Sequence, residues 1–408
     1  MKVNTGKTPL AVSALVAILS LSLVVNLPGL AVTPMLGTLS KIFPDTTQLE
    51  KQLLTMLPNL LIIPCLLLAG RLSLSHHKLA VITFSLIVYS LCGVAYLFAS
   101  SMVQLIIISC ILGIGAGILI PFSTGLLADT FAGPERMRQM GYQSAISNMT
   151  LVIATYAVGL LSHGNWHMPF GVYLIPLIPL ALTPFLRRIP SCDLYGECSP
   201  QPKDNSLSKP DGTNTGKFIV SRLLATIGVY FFVTYSSIVI SYYCPFLVEK
   251  ENWSTDVAGT VTAIFFFFTF VPGFTLKQII SALGKNTLIV AVLSLLGGLA
   301  FFAFVRAEWS MYVGAALMGL GYGIYQPVIY NKATLTVTSP RKSTLALSIV
   351  LVANYTAIAL EPVIIDGVRS LLNGSAIVAF AFKLNFFLTL AFAFLVVLKR
   401  NSFVFRPD

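Results

Sequence analysis

One carboxylate in this sequence lies where it could carry a proton. Fourteen of the 15 Asp and Glu residues fall in polar segments or near the ends of apolar runs. Glu361 instead lies well inside an apolar run and directly precedes Pro362. Burial away from water disfavours the charged form of a carboxyl group, so such a group can take up and release protons near neutral pH. Proton coupling is therefore the first role that we expect for Glu361.

Lys383 offers a second interpretation of the same carboxylate. It lies in the next apolar run and could form a static ion pair with Glu361 at a similar depth. Alternatively, Lys383 lies closer to the surface of a bilayer and extends its ammonium group into water. In a third interpretation, Glu361 contacts a cationic ligand. The sequence leaves these alternatives open.

Two stretches share a frame of glycine and proline. Residues 321–327 read GYGIYQP and residues 115–121 read GAGILIP, at an offset of 206 residues in a chain of 408. Further identical residues follow at the same offset without a gap: Thr130 and Thr336, Pro134 and Pro340, and Asn148 and Asn354. Glycine lets neighbouring helix backbones approach closely, and proline interrupts helical hydrogen bonding. We expect six residues to bend one helix in each half of the chain and to take part in gating a pathway between the halves. They are Gly115, Gly117, Pro121, Gly321, Gly323 and Pro327.

The second frame carries aromatic and amide groups where the first is apolar. Tyr322, Tyr325 and Gln326 stand where the first frame has Ala, Leu and Ile. Other apolar runs add polar or aromatic candidates for a ligand cavity: Asn26, Tyr230, Tyr235, Asn354 and Tyr355, with Asn59 and Asn148 in support. A cavity lined by such groups suits a partly apolar ligand with a few hydrogen-bonding groups. The alternative is that these side chains only link helices to each other.

Composition excludes an ordinary soluble protein. Apolar residues make up 56% of the chain and charged residues 10%, whereas about a quarter of a soluble domain is charged. Most of the surface must therefore face lipid. The formal charge of +11 does not indicate a nucleic-acid partner, because the basic residues are scattered singly between apolar runs.

Other kinds of chemistry find little support in the sequence. Four of the six cysteines lie in or near apolar runs, and the other two lie six residues apart in a polar segment. This distribution predicts neither a disulfide nor a metal site. The chain has no phosphate-binding motif and no nucleophile elbow, so we expect no cofactor and no enzymatic activity. We interpret the run Phe265–Phe268 as lipid-facing or interhelical packing.

Twelve apolar runs are long enough to cross a bilayer as helices. They lie near residues 9–36, 52–72, 79–99, 103–129, 141–162, 169–187, 218–246, 256–281, 286–305, 310–332, 344–367 and 377–398. The sequence thus predicts an all-α membrane protein with two pseudo-symmetric six-helix bundles, residues 1–187 and 218–408, joined by a polar linker, residues 188–217. The first run has no convincing cleavage site, so we expect it to stay as a span.

The distribution of basic residues predicts the orientation. If the N-terminus lies inside, 20 of the 26 Lys and Arg residues fall in inner segments and five in outer ones. This excess obeys the positive-inside rule. Both termini and the linker are therefore expected in the cytoplasm.

Three further stretches resemble the major facilitator superfamily. Residues 134–141, PERMRQMG, resemble that family's loop between the fourth and fifth helices. Residues 166–170, WHMPF, resemble the entry to its sixth helix, and residues 70–78, GRLSLSHHK, take the place of its G-x-L-A-D-R-x-G-R signature. Two six-helix halves in one orientation are also the organisation of this family. The chain resembles a bacterial twelve-helix member, similar to the drug-efflux permeases.

The chain also departs from the family pattern. Leu74 and Ser75 replace the acidic residue of the signature and the Arg after it, so the charge relay that latches the halves in many members is absent or rebuilt. Ser109 stands where the proton-coupled drug exporters usually carry an Arg. These departures weaken the resemblance to drug antiporters in particular.

The resemblance implies a secondary active transporter whose first, fourth, seventh and tenth helices line a central cavity. We expect proton-coupled efflux of an amphipathic or drug-like compound by alternating access. The alternatives are a proton-linked importer of a sugar or an organic acid, and a non-transporting membrane protein on the same scaffold. We expect a monomer in the bacterial inner membrane, with a small-molecule substrate and protons as its partners.

Overall fold

The computed structural model describes residues 2–3, 5–6, 10–28, 42–43, 48–74, 77–161, 165–189, 218–253, 255–338, 342–371 and 377–405. Within these residues the long elements are all helices. A short antiparallel hairpin, β1 (Lys2–Val3) and β2 (Leu10–Ala11), precedes the first helix.

The first half of the chain folds into helices that follow its apolar runs. They are α1 (Val12–Ser20), α2 (Gln48–Leu72), α3 (Lys78–Phe98), α4 (Met102–Thr130), α5 (Gly133–Leu161) and α6 (Leu177–Leu186). Two 3-10 turns extend them, since Leu21–Val24 continues α1 and Met168–Leu174 leads into α6.

The second half follows the same plan. Its helices are α7 (Val220–Lys250), α8 (Thr255–Leu283), α9 (Thr287–Phe304), α10 (Glu308–Thr334), α11 (Ser343–Leu371) and α12 (Ile377–Leu398). A 3-10 turn, Gly284–Asn286, joins α8 to α9.

Local sequence explains where α4 and α5 begin. Ser101 caps α4, because its hydroxyl accepts a hydrogen bond from the Gln104 backbone N–H at 3.3 Å. Gly133 adopts φ 56° between the two helices, a conformation that favours glycine. Pro134 then lies in the first turn of α5, where no helical partner is needed for a backbone N–H. The helix therefore starts at Gly133, eight residues before the apolar run predicted near 141–162. The polar residues ahead of that run form its first two turns.

Among the residues that the structure describes, seven helical stretches are long and apolar enough to cross a membrane. Their outer faces carry large apolar side chains in the open, such as Phe98 at 80% exposure and Leu371 at 83%. Such faces are stable only against lipid, and the chain is an integral, multi-pass membrane protein.

Two predicted features fall partly outside the described residues. The first span was expected near residues 9–36, and its helical part ends at Val24, with the described chain continuing to Pro28. The polar linker was expected at residues 188–217, and residues 190–217 lie outside the described part.

The repeated glycines pack the two halves in the same way. A methyl group at Gly117 would lie 2.7 Å from Cβ of Cys65 on α2, and one at Gly323 would clash with the carbonyl oxygen of Thr269 on α8. Gly115 faces α3 less closely, since a methyl group there would lie 3.3 Å from a side-chain carbon of Val88, whereas one at Gly321 would lie 2.6 Å from the Ala291 oxygen of α9. Each frame thus needs glycine because two neighbouring helices approach its backbone.

Contacts between the halves follow a matching pattern. α2 packs against α11 and α5 against α8, while α4 contacts α11 and α10 contacts α5. If each helix is replaced by its equivalent in the other half, six helices away along the chain, the pair α2 and α11 becomes α8 and α5. In the same way, the pair α4 and α11 becomes α10 and α5. This is the arrangement that a duplicated six-helix unit is expected to give.

The halves meet most closely at one end of the helices. We call this end the linker side, because α6 ends and α7 begins there. A methyl group at Gly70 would lie 2.9 Å from Cβ of Ser348, and one at Gly141 would lie 2.6 Å from the Gly273 oxygen. Arg136 adds a hydrogen bond from Nη1 to Thr334 Oγ1 at 2.7 Å. Small residues thus let the two halves close on each other at the linker side.

Candidate functional site

A cavity lies between the two halves, further along the helices than the linker-side contacts. On α11, Ser348 contacts the first half, and Leu351 to Ile358 line the cavity. The first half contributes Val25, Asn26, Pro28, Asn59, Ile120, Asn148 and Leu151. The second half contributes Thr234, Ser237, Ile238, Phe265, Phe266, Tyr322, Gln326, Tyr330, Leu351, Asn354, Tyr355 and Ile358.

Helical periodicity places these residues on the cavity side. On α10, Tyr322, Gln326 and Tyr330 follow each other at intervals of four residues and share one face. On α11 the cavity residues are spaced three and four apart, as are those on α7. Each helix therefore presents one stripe to the cavity and its other faces to neighbouring helices or lipid.

A hydrogen-bonded bridge of polar side chains crosses the cavity from one half to the other. The Gln326 Oε1 atom accepts hydrogen bonds from Ser144 Oγ at 2.5 Å and from Asn148 Nδ2 at 3.2 Å. Asn148 Oδ1 in turn accepts one from Asn26 Nδ2 at 3.3 Å. Gln326 Nε2 donates to the Tyr330 hydroxyl at 3.1 Å. Gln326 thus joins α10 to α5 through its oxygen.

A second polar group lies within the C-terminal half. Asn354 Oδ1 accepts from Thr234 Oγ1 at 2.8 Å and, more weakly, from the Tyr322 hydroxyl at 3.5 Å. These contacts join α7, α10 and α11 at the cavity wall. The Asn354 amide nitrogen donates no hydrogen bond within the described residues, so it can serve as a donor to a ligand.

Aromatic rings form part of the wall. Phe265 and Phe266 are buried, contact each other edge to face at 5.2 Å between centroids, and line the cavity. Phe267 points the other way and is 44% exposed. Phe265 and Phe266 therefore pack between helices, as one of the two interpretations of the run expected, and they also line the cavity.

The structure brings together five of the eight predicted cavity residues. Asn26, Tyr322, Gln326, Asn354 and Tyr355 all line the cavity.

The other three predicted cavity residues lie behind the cavity wall. Tyr230 donates from its hydroxyl to that of Tyr330 at 3.1 Å, and so supports the wall from behind. Tyr325 donates to the Leu288 backbone oxygen at 3.0 Å and links α10 to α9. Tyr235 is also buried, but its hydroxyl has no partner among the described residues. Tyr230, Tyr235 and Tyr325 are therefore corrected from cavity residues to residues of the surrounding packing.

Ser144 and Tyr330 were not predicted from the sequence. Tyr330 lies eight residues after Tyr322 and four after Gln326, so helical spacing alone could have found it. Ser144 gave no such signal. Its role depends on the contact between α5 and α10, which sequence periodicity does not reveal.

Glu361 is completely buried and lies just beyond the cavity. Neither of its carboxylate oxygens has a hydrogen-bond partner among the described residues. Tyr235, Tyr242 and Tyr243 on α7 lie near enough to interact with it electrostatically. The cavity residue Ile358 is three positions earlier on the same helix.

One backbone hydrogen bond of the helix is missing at this point, although the helix continues to Leu371. Pro362 lacks an N–H, so the Ile358 carbonyl loses its usual partner four residues on. The Tyr242 hydroxyl of α7 donates to that carbonyl at 3.3 Å instead. The buried carboxylate of Glu361, next to Pro362, thus lies within one helical turn of Ile358 in the cavity wall.

The ion pair between Glu361 and Lys383 does not form. Lys383 is exposed on α12, while both Glu361 oxygens remain without a hydrogen-bond partner. The side chain of Lys383 points away from the helix bundle, an orientation that its position in the sequence did not show. This corrects the static-pair interpretation.

A different buried ion pair is present. Lys78 at the start of α3 contacts Asp129 at the end of α4, with Nζ 2.9 Å from Oδ2. The two side chains are 2% and 4% exposed. The pair lies on the linker side, beside the stretch where Leu74 and Ser75 replace the family's charged residues, and it joins α3 to α4 within the first half.

Comparison with known proteins gives the family. The sequence model described as Major Facilitator Superfamily matches residues 10–362. No curated protein sequence matches the chain.

Solved structures share the fold at low identity. The crystal structure of the human organic anion transporter MFSD10 (TETRAN) has a TM-score of 0.69 and 15% identity, covering 92% of this chain and 99% of that one. The proton:xylose symporter XylE, bound to 6-bromo-6-deoxy-D-glucose, has a TM-score of 0.69 and 14% identity, covering 95% of each chain. With the family model matching most of the sequence and the fold shared with known transporters, the chain belongs to the major facilitator superfamily, whose members are transporters rather than enzymes.

Proposed function

We propose that the protein is a secondary active transporter that moves a small organic solute by alternating access. The observation that carries this proposal is the cavity between the two halves, lined by both and closed off from the linker side by contacts between them. A rocking motion that separates Gly70 from Ser348 and Gly141 from Gly273 would give the cavity access to that side.

Glu361 is the proposed site of proton coupling. It is fully buried, and its carboxylate has no ion-pair or hydrogen-bond partner among the described residues. A carboxyl group in such surroundings is stable when protonated and needs water or a donor when it ionises. Its position three residues from Ile358 gives protonation a short route to the cavity wall.

Efflux of an amphipathic or drug-like compound is the proposed direction and substrate class. Phe265, Phe266 and Tyr355 offer apolar and aromatic surface, while the amides of the bridge offer hydrogen bonds. Sites of this kind suit ligands with a large apolar surface and a few polar groups.

A proton-linked importer of a sugar is the second candidate. It is favoured by the carboxamides that line the cavity, namely Asn26, Asn59, Asn148, Gln326 and Asn354. Amide side chains both donate and accept hydrogen bonds, as sugar hydroxyls require. The likeness to the xylose symporter adds nothing here, since at 14% identity it concerns the fold.

The membrane arrangement is part of the proposal. We propose twelve spans in two six-helix bundles, residues 1–187 and 218–408, with the linker and both termini in the cytoplasm. A monomer in a bacterial inner membrane is the proposed setting. The excess of basic residues in the inner segments supports this orientation.

Flux into vesicles under an imposed pH gradient tests the function. Purified protein is reconstituted into liposomes, and uptake of a labelled solute, chosen as the best stabiliser in a thermal-shift panel, is followed with and without the gradient. The proposal predicts gradient-driven uptake that a protonophore abolishes. Solute binding without any flux would instead indicate a non-transporting protein on this scaffold.

A further inference from the structure

The repeated frame places different side chains at equivalent points of one cavity. Ile120 and Gln326 lie 206 residues apart, at the same position of the two frames. Both line the cavity, and both are nearly fully buried, at 1% and 5% exposure. One half thus presents a hydrocarbon side chain at the place where the other presents an amide.

The polar part of the wall is made of neutral groups. Among the described residues that line the cavity, the polar side chains are carboxamides and hydroxyls, and none carries a formal charge. An ion that enters such a cavity loses hydration without gaining a counter-charge, which is costly. A neutral molecule loses little if its donors and acceptors find partners among these amides.

A polar solute at Gln326 would contact side chains of both halves at once. Its Oε1 atom holds Ser144 and Asn148 of α5, so the bridge crosses the boundary between the halves. A solute that accepts from Asn148 and donates to Gln326 satisfies the same groups and replaces the direct hydrogen bond between α5 and α10. Solute occupancy and separation of the halves are then linked by exchange of hydrogen-bond partners.

Resting on the transport function proposed above, we propose that the solute is an uncharged molecule with a donor and an acceptor on one edge and an apolar or aromatic surface on the other. Gln326 is the specificity residue that binds the polar edge. Ile120, Phe265 and Phe266 receive the apolar surface.

Matched ligands test the charge of the solute. Phenylacetamide, phenylacetate and phenethylammonium share one ring and a similar length but are neutral, anionic and cationic at pH 7. Larger triads built on the same plan, with two rings in place of one, extend the series. Binding to the wild-type protein in nanodiscs is measured by thermal shift and by calorimetry, neither of which depends on transport.

The expected result is that the neutral member of each triad binds about tenfold more tightly or better, since one unpaired charge costs more than one hydrogen bond gains. Tighter binding of an anionic or cationic member, or no binding by any triad up to its solubility limit, would overturn the proposal. Neutral ligands that bind but are not moved in liposomes would contradict the transport function and leave the substrate class standing.

Variants test the role of Gln326. Gln326→Leu should weaken binding of the neutral amide about tenfold while leaving its hydrocarbon analogue, ethylbenzene, bound as before. The matched control is Tyr325→Phe, on the same helix, which removes a hydroxyl bonded to Leu288 away from the cavity. Equal amide binding by Gln326→Leu and the control would show that Gln326 does not bind the polar edge. If Gln326→Leu does not fold, the triad measurement on the wild-type protein still decides the substrate class.

Discussion

Glu361 combines complete burial with two carboxylate oxygens that have no partner among the described residues. If this group carries the proton, Glu361→Gln fixes the neutral state in nearly the same shape. We expect the variant to lose uptake driven by a pH gradient while retaining exchange of solute between the two sides. The measurement is flux in liposomes, with and without a gradient, beside counterflow in the same preparation.

Asp366→Asn is the matched control for this variant. Asp366 lies on the same helix but is 56% exposed and contacts Arg369. It should keep its response to the gradient. A Glu361→Gln protein that is still driven by the gradient would remove Glu361 from the coupling mechanism.

The buried pair of Lys78 and Asp129 makes a separate prediction about stability. Lys78→Met removes the ammonium group that pairs with a buried carboxylate, and breaking such a pair costs about 3–5 kcal/mol. We expect a large drop in melting temperature. Adding Asp129→Leu should restore much of the loss, because the buried charge is then gone. Equal melting temperatures for Lys78→Met and the wild type would show that the pair is not important for stability.

At the residue scale, sequence predicts how deep in the membrane a side chain lies better than it predicts which way that side chain points around its helix. Glu361 could be singled out because a carboxylate within a long apolar run must be buried, and it is. Tyr325 was assigned wrongly, and the alternatives for Lys383 stayed open, because both depend on which way a side chain points around its helix axis. A helix that is apolar on nearly all sides gives no moment from which to read that direction.

At the scale of the element, α11 lacks one backbone hydrogen bond where the buried carboxylate lies next to the cavity. The Tyr242 hydroxyl compensates the carbonyl of Ile358 that Pro362 leaves without its partner. Tyr242→Phe removes this bond, worth about 1 kcal/mol, and so allows α11 more freedom at this turn. We expect slower gradient-driven flux, with solute affinity changed less than rate.

Tyr156→Phe serves as the control, since Tyr156 is 68% exposed on α5 and removal of its hydroxyl should change neither quantity. The two quantities are read from the dependence of initial flux on solute concentration. A Tyr242→Phe protein with wild-type flux would show that the bond does not hold this turn in place.

Most helices could be predicted from sequence because lipid requires long apolar runs. The structure places α3, α4 and α9 within a residue or two of the runs predicted near 79–99, 103–129 and 286–305. Polar residues at helix ends could not be assigned in this way, and α5 starts at Gly133 for that reason. Helical spacing could have given the whole cavity stripe on α10, although Tyr330 was missed and Tyr325 was included. The contact of Gln326 with Ser144 could not be predicted, because it joins separate halves.

At the scale of the whole molecule, the duplicated frame was the most informative signal. It predicted that two helices would need glycine at matching positions, and Gly117 and Gly323 indeed face α2 and α8 in equivalent ways. It could not show which end of the molecule is closed. That depends on contacts such as Gly141 with Gly273, which lie outside the frame and between the halves.

Alternating access around the cavity requires the linker side to open and close. Gly70 and Ser348 meet there across the two halves, and a Cβ at Gly70 would lie 2.9 Å from Cβ of Ser348. The paired substitutions Gly70→Cys and Ser348→Cys, with the six native cysteines replaced by alanine, place two Cβ atoms closer than the roughly 3.5 Å of a disulfide, so a small separation of the halves lets the two thiols be cross-linked. Ser348→Cys alone controls for oxidation.

The decisive measurement is counterflow of a labelled neutral solute by this paired variant, before oxidation, after it, and after reduction. The account predicts that the cross-link stops exchange while solute still binds, and that reduction restores exchange to the level of the single variant. Undiminished exchange through the cross-linked protein would contradict it.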